Sequence, residues 1–233
     1  YNFTWVLRGC ELFSHKTFLF DWFLSEKRGR VIQFMKRLFD VLLSSCLLII
    51  LSPLFIAISI SSLLFIGNPI FFKQLRPGLN KRPFYLIKYR TMKNQFDEKN
   101  NELSETDRIT SYGAFLRNYS LDELPEILNV FKGEMSFVGP RPLLMQYLTV
   151  YNKNHSRRHD VRPGITGWAQ INGRNTISWE QKLDLDIWYI ENKSFFLDIK
   201  ILMATFVKVL TREGINQDSE NSMKLFTKED YDS

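Results

Sequence analysis

Hydrophobic and polar positions divide the chain into one long apolar run and a body of shorter mixed segments. From Val41 to Ile66 no residue is charged, and a run of this length can cross a bilayer as a helix. Ser52 and Pro53 lie near its middle, where proline lacks the backbone N–H and the serine hydroxyl can bond the freed carbonyl. The pattern predicts a membrane helix that is broken at Ser52 and Pro53.

Cations flank this run at both ends. Lys36 and Arg37 precede it, while Lys73, Arg76, Lys81, Arg82, Lys88 and Arg90 follow it. The positive-inside rule draws both ends toward the cytoplasm, which favours a re-entrant helix that enters and leaves through one face of the membrane. A kinked helix that spans the bilayer is the alternative, because transmembrane helices tolerate proline.

Beyond the run, short β-rich segments alternate with helical ones. Ile70 to Leu75 and Phe84 to Tyr89 are predicted strands around a turn at Arg76-Pro77-Gly78, and Asn94 to Asp107 is a predicted surface loop. Helices are predicted over Ile109 to Asn118, Leu143 to Tyr151, residues 179–191 and residues 195–210, with Ser178 and Ser194 capping the last two. The last helix is so apolar that it is either a core helix or an interfacial one.

These elements predict an α+β, membrane-associated protein with four regions. Residues 1–34 form an N-terminal extension, either upstream of a chain that starts at Met35 or an aromatic amphipathic segment lying on the membrane. Residues 35–72 form the re-entrant broken helix, and residues 73–210 a small cytosolic, mainly helical catalytic domain with short strands. Residues 211–233 form a polar C-terminal tail.

The stretch from Arg117 to Pro142 is the candidate active site. Ser120 and Glu123 have the spacing of a capping box, which places Asp122 and Glu123 in the first turn of a helix. Pro125 favours a start of the regular helix nearer Leu124. Acidic residues also occur in first turns simply because the positive end of the helix favours them, so capping alone is the competing explanation.

The arginines of this stretch favour chemistry on a phosphate. Arg117 lies five residues before Asp122, and Arg141 lies between two prolines that limit its backbone freedom. Guanidinium groups bind phosphate oxygens in a bidentate manner. Of two adjacent carboxylates, one could attack phosphorus while the other holds a divalent cation.

A second basic segment leads into two glycine-containing turns. Arg157, Arg158, His159 and Arg162 precede Pro163-Gly164-Ile165-Thr166-Gly167, and Gly173-Arg174 follows. These turns could present backbone N–H groups and guanidinium to a diphosphate. No Walker or Rossmann glycine pattern is present. His155 and His159 are four residues apart, but ordinary surface or core roles suit them better than a metal site.

Net charge and cysteine content limit the kinds of binding partner and the cellular compartment that fit the chain. The 233 residues carry a formal net charge of +6, which favours an anionic partner: nucleic acid, a phospholipid surface or a phosphorylated substrate. Nucleic acid fits least, because no helix-turn-helix, zinc-finger or ribonucleoprotein pattern occurs. Only two cysteines are present, so a disulfide framework is not expected and a reducing cytoplasmic setting fits.

Three motifs in order carry a family resemblance. SLDELPEILNVFKGEMSFVGPRP from Ser120, KYRTM at residues 88–92 and RPGITGWAQINGRN at residues 162–175 closely resemble the bacterial sugar transferase family. Its members are monotopic polyprenyl-phosphate phosphoglycosyl transferases, and the resemblance extends from about Met35 to Phe226. The short members, which transfer diacetylated bacillosamine phosphate, are the most similar.

The resemblance implies a function and a set of roles. The chain would transfer a sugar 1-phosphate from a UDP-sugar to a polyprenyl phosphate, at the cytoplasmic face of the bacterial inner membrane. Asp122 would attack the sugar-linked phosphorus and hold the phosphosugar covalently, and Glu123 would bind Mg²⁺. Arg117 and Arg141 are candidates for phosphate contacts, with Lys88, Arg90, Arg162 and Arg174 as further candidates.

A function of another class stays open. A non-catalytic membrane anchor or scaffold, whose basic face binds anionic lipid or a partner enzyme, would also explain the apolar run and the net positive charge. The pathway served and the oligomeric state do not follow from the sequence.

Overall fold

A computed structural model of the protein describes residues 31, 33–93, 108–173, 177–211 and 226–227. The chain divides into two units, Tyr1–Phe39 and Asp40–Ser233, and apart from the start of the first helix everything below belongs to the second. The N-terminal extension up to residue 30, the predicted loop from Asn94 to Asp107, Arg174 and most of the polar tail lie outside the described residues.

The described residues form a mixed, mostly helical fold, as predicted. The helices are α1 (Gln33–Ile50), α2 (Ser52–Phe65), α3 (Ser111–Asn118), α4 (Glu126–Lys132), α5 (Trp168–Asn172), α6 (Trp179–Asn192) and α7 (Phe195–Thr211). The strands are β1 (Phe71–Pro77), β2 (Pro83–Tyr89), β3 (Ser136–Val138) and β4 (Gly164–Thr166). Short segments of 3-10 helix cover Leu79–Lys81, Leu121–Glu123, Met145–Thr149 and His155–Asp160.

The predicted helix break is confirmed. Helices α1 and α2 are bent by 62° at a break between them. Pro53 has no N–H to donate to the carbonyl of Ile49, four residues before it, and the Ser52 hydroxyl donates to that carbonyl instead at 2.8 Å. By length and composition, no single described helix could cross a membrane, whereas this bent pair together could.

The two predicted strands form as β1 and β2 and pair as an antiparallel hairpin, but the turn lies further along the chain than predicted. Arg76 pairs with Phe84 and Pro77 with Pro83, so two of the three residues predicted as the turn form the end of β1. The reversal occurs over residues 78–82, where Asn80 and Lys81 have φ angles of 53° and 62°. Asparagine tolerates this left-handed conformation better than most residues, and sequence spacing alone did not show it.

Strands β3 and β4 are parallel, with Ser136 opposite Gly164 and Val138 opposite Thr166. A side chain on Gly164 would place its Cβ 2.1 Å from the Gly139 nitrogen, so the close approach requires glycine. The Gly164 N–H donates to the carbonyl of Pro140 at 3.0 Å. The predicted glycine turn after Pro163 is therefore a strand, and this N–H is not available to a diphosphate.

The main core lies between the strands and helices α4, α6 and α7. Its buried residues are Phe84, Leu86, Val130, Met135, Phe137, Val138, Ile187, Tyr189, Ile190 and Ile201. Asn129 links α4 to β2, because its amide donates to the carbonyl of Tyr85 at 2.7 Å and accepts from the N–H of Ile87 at 3.1 Å. Helix α1 is tied to β3, since the Phe137 N–H donates to the buried Asp40 carboxylate at 3.2 Å.

Helices α6 and α7 begin where the sequence predicts. Ser178 caps α6 in a capping box with Gln181, and the Ser194 hydroxyl accepts from the N–H of Leu197 at 3.2 Å. Helix α7 packs into the core through Ile201, which is fully buried, while Phe196 on the same helix is 85% exposed. The interfacial alternative stays a prediction. The predicted helix over residues 143–151 is wrong: only the 3-10 segment at residues 145–149 forms.

Candidate active site

The two adjacent acids lie on a short turn between α3 and α4. Asp122 and Glu123 are in the 3-10 segment Leu121–Glu123, and Ser120 before it has a φ of 54° and makes no capping hydrogen bond. The predicted capping box is therefore wrong. The left-handed Ser120 ends α3, and the regular helix α4 begins only after Pro125, because proline is best accommodated at a helix start.

Two cations from distant parts of the chain hold Glu123. Lys88, near the end of β2, lies 2.6 Å from Glu123 Oε1, and Arg141, from the loop after β3, pairs with the same oxygen. Burial opposes ionisation of Glu123, but the charges of Arg141 and Lys88 and their hydrogen bonds outweigh it. The pKa of Glu123 is therefore held below its ordinary value.

Asp122 is in a different environment from its neighbour. Of the two acids, only Glu123 forms ion pairs among the described residues. Burial, together with the negative charge of Glu123, raises the pKa of Asp122 to about 6, against the opposing charges of Lys88, Arg117 and Arg141. Near neutral pH the Asp122 carboxylate is thus mostly ionised and not locked into an ion pair, which suits a nucleophile.

Sequence reasoning missed a third acid. Glu126, in the first turn of α4, is only 2% exposed, and its Oε1 lies 3.2 Å from Lys88 Nζ. Burial and the charge of Glu123 raise the pKa of Glu126 to about 7. An acid directly after a proline, three residues beyond Glu123, was the sequence signal that could have identified it.

The other cations predicted to bind phosphate lie in different parts of the fold. Arg117 lines the cavity described next, and its Nε donates to Thr91 Oγ1 at 3.0 Å. Arg90 donates to the carbonyls of Ile66 and Gly67 at the end of α2, and Arg162 donates to the carbonyl of Gly133. Neither Arg90 nor Arg162 lines the cavity. Their phosphate-binding roles stay predictions that these contacts do not favour.

A cavity of about 550 Å³ opens beside Glu123, which lines it, whereas the neighbouring Asp122 does not. It is lined by Arg117, Ser120, Glu123, Leu124, Ile127, Phe137, Arg141, Leu143, Arg158, Ile165, Thr166, Ala169, Gln170, Lys182, Asp186, Thr205 and Val209. Sequence reasoning did not assign Gln170, Lys182 or Asp186 to the site. Burial lowers the pKa of Lys182 to about 8, which keeps part of this cationic wall close to titration at neutral pH.

Arg158 and Asp186 form a buried ion pair in the cavity wall. Arg158 Nη2 lies 2.7 Å from Asp186 Oδ2, and Nε lies 3.1 Å from the same oxygen. Arg158 also donates to the Tyr151 hydroxyl and to the carbonyl of Arg141. The pair thereby fixes the backbone of the residue that holds Glu123.

Asp122 and Glu123 offer carboxylate oxygens to a metal ion. Among the described residues, no group of three or more His, Cys, Asp or Glu side chains is arranged to hold an ion. Mg²⁺ does not require such a group, since one or two carboxylates, water and substrate phosphates suffice. The oxygens of Asp122 and Glu123 are donors of that kind.

The family model and the relatives of known sequence indicate the same protein family. The family model for bacterial sugar transferases matches residues 31–212. The uncharacterized sugar transferase EpsL of Bacillus subtilis (strain 168) is 53% identical over 193 residues, which cover 83% of this chain and 96% of that protein.

Two further relatives carry names that state a reaction. The UDP-glucose:undecaprenyl-phosphate glucose-1-phosphate transferase of Xanthomonas campestris pv. campestris is 43% identical over 186 residues, covering 75% of this chain and 38% of that protein. The undecaprenyl-phosphate galactose phosphotransferase of Salmonella typhimurium (strain LT2) is 34% identical over 220 residues, covering 87% and 46%. The chain thus spans less than half the length of these two relatives. Because the family model covers most of the chain, this protein belongs to the bacterial sugar transferase family of enzymes.

Proposed function

We propose that the protein transfers a sugar 1-phosphate from a UDP-sugar to a polyprenyl phosphate, with Asp122 as the nucleophile. The observation that carries this proposal is the unequal pair of neighbouring acids. Glu123 is held by Lys88 and Arg141, whereas Asp122 makes no ion pair among the described residues and lies beside the same cations. Relatives whose names state sugar-phosphate transfer to undecaprenyl phosphate support the reaction class.

The reaction would proceed in two balanced steps. In the first, a carboxylate oxygen of Asp122 attacks the sugar-linked phosphorus, the bond to the bridging oxygen breaks, and UMP leaves with that electron pair. In the second, an oxygen of polyprenyl phosphate attacks the same phosphorus and releases the Asp122 carboxylate. The products are UMP and a polyprenyl diphosphate sugar. Splitting one displacement into two is the general advantage of covalent catalysis.

The cations around the acids would bind the substrate phosphates. Arg141 and Arg117 both line the cavity, and guanidinium matches two phosphate oxygens at once. Mg²⁺ held by Glu123, with Asp122 adjacent, would neutralise charge on the diphosphate. Attack by an anion on an anion requires such screening.

We propose that the α1–α2 pair enters the inner membrane from its cytoplasmic face as a re-entrant helix. Apolar side chains on the pair are exposed, with Leu42 at 62%, Ile49 at 74% and Leu64 at 75%. Exposure of so many large apolar groups is costly in water and favours lipid contact. Entry of both ends from the cytoplasm would place the acids near the level of the lipid phosphate.

The sugar is the least constrained part of the proposal. Resemblance to the short members of the family favours an N-acetylated amino sugar such as diacetylated bacillosamine. The names of two relatives state glucose and galactose. A panel of UDP-sugars that includes all three separates these donors.

UMP release from that panel in the presence of Mg²⁺ tests the function. We expect a burst of about one UMP per enzyme without polyprenyl phosphate and continuous turnover with it. Asp122→Asn should abolish both in folded protein. Full activity of Asp122→Asn would refute the nucleophile assignment, and no release from any donor would favour another nucleotide or the anchor function.

A further inference from the structure

The KYRTM run at the end of β2 contacts two different parts of the molecule. Lys88 Nζ lies 2.6 Å from Glu123 Oε1, and Thr91 Oγ1 accepts from the Nε of Arg117 at 3.0 Å. The two residues between them bond helix α2 instead. Four consecutive residues therefore connect the candidate site with the proposed membrane helix.

Tyr89 bonds the middle of α2. Its side chain is 1% exposed, its hydroxyl donates to the carbonyl of Phe55 at 3.0 Å, and the Ser59 hydroxyl lies 3.2 Å from the same tyrosine oxygen. The Tyr89 ring stacks on Phe71 with 5.2 Å between the ring centroids. A buried hydroxyl with two partners holds one orientation, so the strand that carries Lys88 is fixed against α2.

Arg90 bonds the end of the same helix. Its Nη2 donates to the carbonyls of Ile66 and Gly67, each at 2.8 Å, and these two residues directly follow α2. The last carbonyls of a helix have no partner within it, and a cation there also complements the helix dipole. Arg90 thereby satisfies backbone groups that lipid cannot satisfy, which suits a helix end at a membrane surface.

The turn that carries the two acids packs on the same part of α2. Ile58 of α2, Tyr89 and Leu116 form a buried cluster, against which Leu121 and Leu124 pack. These last two leucines flank the site acids in the chain. The position of the acids relative to α2 is therefore set within one small cluster.

The two substrates of the proposed reaction differ in what they require of these contacts. A UDP-sugar is soluble and reaches the site from water at any height above the membrane. A polyprenyl phosphate is held in the bilayer by its chain, so its phosphate meets the acids only when the site lies at one height. Because reaction rates depend steeply on such distances, the acceptor step depends on the contacts to α2 and the donor step does not.

Building on the proposed function, we propose that Tyr89 and Arg90 are positioning residues for the lipid acceptor. They hold the site at the height relative to α2 where the acceptor phosphate meets the phosphosugar on Asp122. Neither residue lines the cavity beside Glu123, so their part in the reaction is exerted through α2.

Tyr89→Phe tests this role in liposomes that contain polyprenyl phosphate. The substitution keeps the ring and removes only the hydroxyl contacts to Phe55 and Ser59. We expect kcat/KM for polyprenyl phosphate to fall about tenfold, because the loosened site misplaces the acceptor. The UMP burst measured without acceptor should keep its wild-type amplitude and rate. Tyr85→Phe, at an exposed tyrosine of the same strand, is the matched control and should behave as wild type.

Arg90 offers a second test that includes a conservative rescue. Arg90→Met removes both bonds to the carbonyls after α2 and should lower kcat/KM for polyprenyl phosphate in the same way. Arg90→Lys should recover part of this loss, since an ammonium group can donate to one of the carbonyls. No recovery by Arg90→Lys would overturn the role of these two bonds.

The possible results separate this inference from the proposed function. Tyr89→Phe with wild-type acceptor kinetics, or with equal losses in the burst and in the acceptor step, would overturn the positioning role while leaving the transfer reaction intact. Absence of UMP release by wild type would overturn the proposed function, and this inference with it.

Discussion

The two charged clusters beside the cavity differ in how completely their charges are paired. Arg158 and Asp186 are both buried and face each other through two hydrogen bonds, and the remaining guanidinium donors reach Tyr151 and a backbone carbonyl. The acidic cluster instead sets three carboxylates, Asp122, Glu123 and Glu126, against Lys88 and Arg141. A balanced buried pair holds structure, whereas an unbalanced one keeps a group ready for reaction.

The causes of the raised pKa values, not the direction alone, report this imbalance. Burial raises the pKa of Asp186 while Arg158 opposes the rise, whereas at Asp122 and Glu126 repulsion from a neighbouring acid adds to burial. Burial and repulsion from Glu123 raise the pKa of Asp122 to about 6 and that of Glu126 to about 7. Cationic partners cannot satisfy all three acids at once. The difference between the clusters therefore predicts opposite responses to mutation, one in stability and one in activity.

Asp122→Asn should produce the largest effect. We expect transferase activity to fall by about 10³-fold or more, because the amide cannot form the covalent intermediate. Thermal stability should not fall, since the substitution removes a partly buried charge whose ionisation the fold disfavours. Steady-state UMP release and a thermal unfolding curve measure the two quantities, and loss of both together would contradict the assignment.

Arg158→Met should act on stability. Removing one partner leaves the Asp186 charge buried and uncompensated, at a cost of about 3–5 kcal/mol in the free energy of unfolding. Arg157→Met is the control, because its pair with Glu191 is exposed and contributes about 1 kcal/mol or less. Equal destabilisation by the two variants in a denaturant titration would refute the structural role of Arg158.

Glu126→Gln should stabilise the protein in a pH-dependent way. Its folded pKa of about 7 lies above the ordinary value, so the stability that this group contributes is present below the ordinary value and is lost as pH rises through 7. The glutamine variant should therefore match wild type near pH 4.5 and gain on the order of 2 kcal/mol at pH 8. Glu180→Gln, at an exposed acid of α6, is the control and should change the free energy of unfolding by about 0.5 kcal/mol or less.

The pH profile of the first step should show the smallest effect. With the pKa of Asp122 at about 6, kcat/KM for UMP release should fall about tenfold at pH 5, because the protonated acid cannot attack. Above pH 7 this group should impose no further change. A flat profile from pH 5 to 8 would show that Asp122 does not ionise in this range.

Local signals predicted local structure well. Ser178 and Ser194 mark helix starts, and Ser52 with Pro53 marks the break, because each depends on contacts within four residues. The prediction for Ser120 was wrong although it used the same kind of local signal. Its spacing from Glu123 fits a helix cap, but its left-handed backbone follows the end of α3, and α4 begins only after Pro125.

The site itself depends on contacts that no spacing reveals. Lys88 and Glu123 are 35 residues apart, and Arg158 and Asp186 are 28 apart. Arg141 was identifiable from its motif, but its partner was not. Arg90 was assigned to the site from its motif, but its guanidinium donates to the backbone carbonyls of Ile66 and Gly67 after α2.

Mass spectrometry of the enzyme mixed with its UDP-sugar and Mg²⁺, without polyprenyl phosphate, tests the central claim most directly. The account predicts a mass increase equal to one sugar phosphate, located on the peptide at Asp122 and removed when polyprenyl phosphate is added. Asp122→Asn should show no adduct. An adduct on another residue, or full turnover with no adduct at any time, would contradict it.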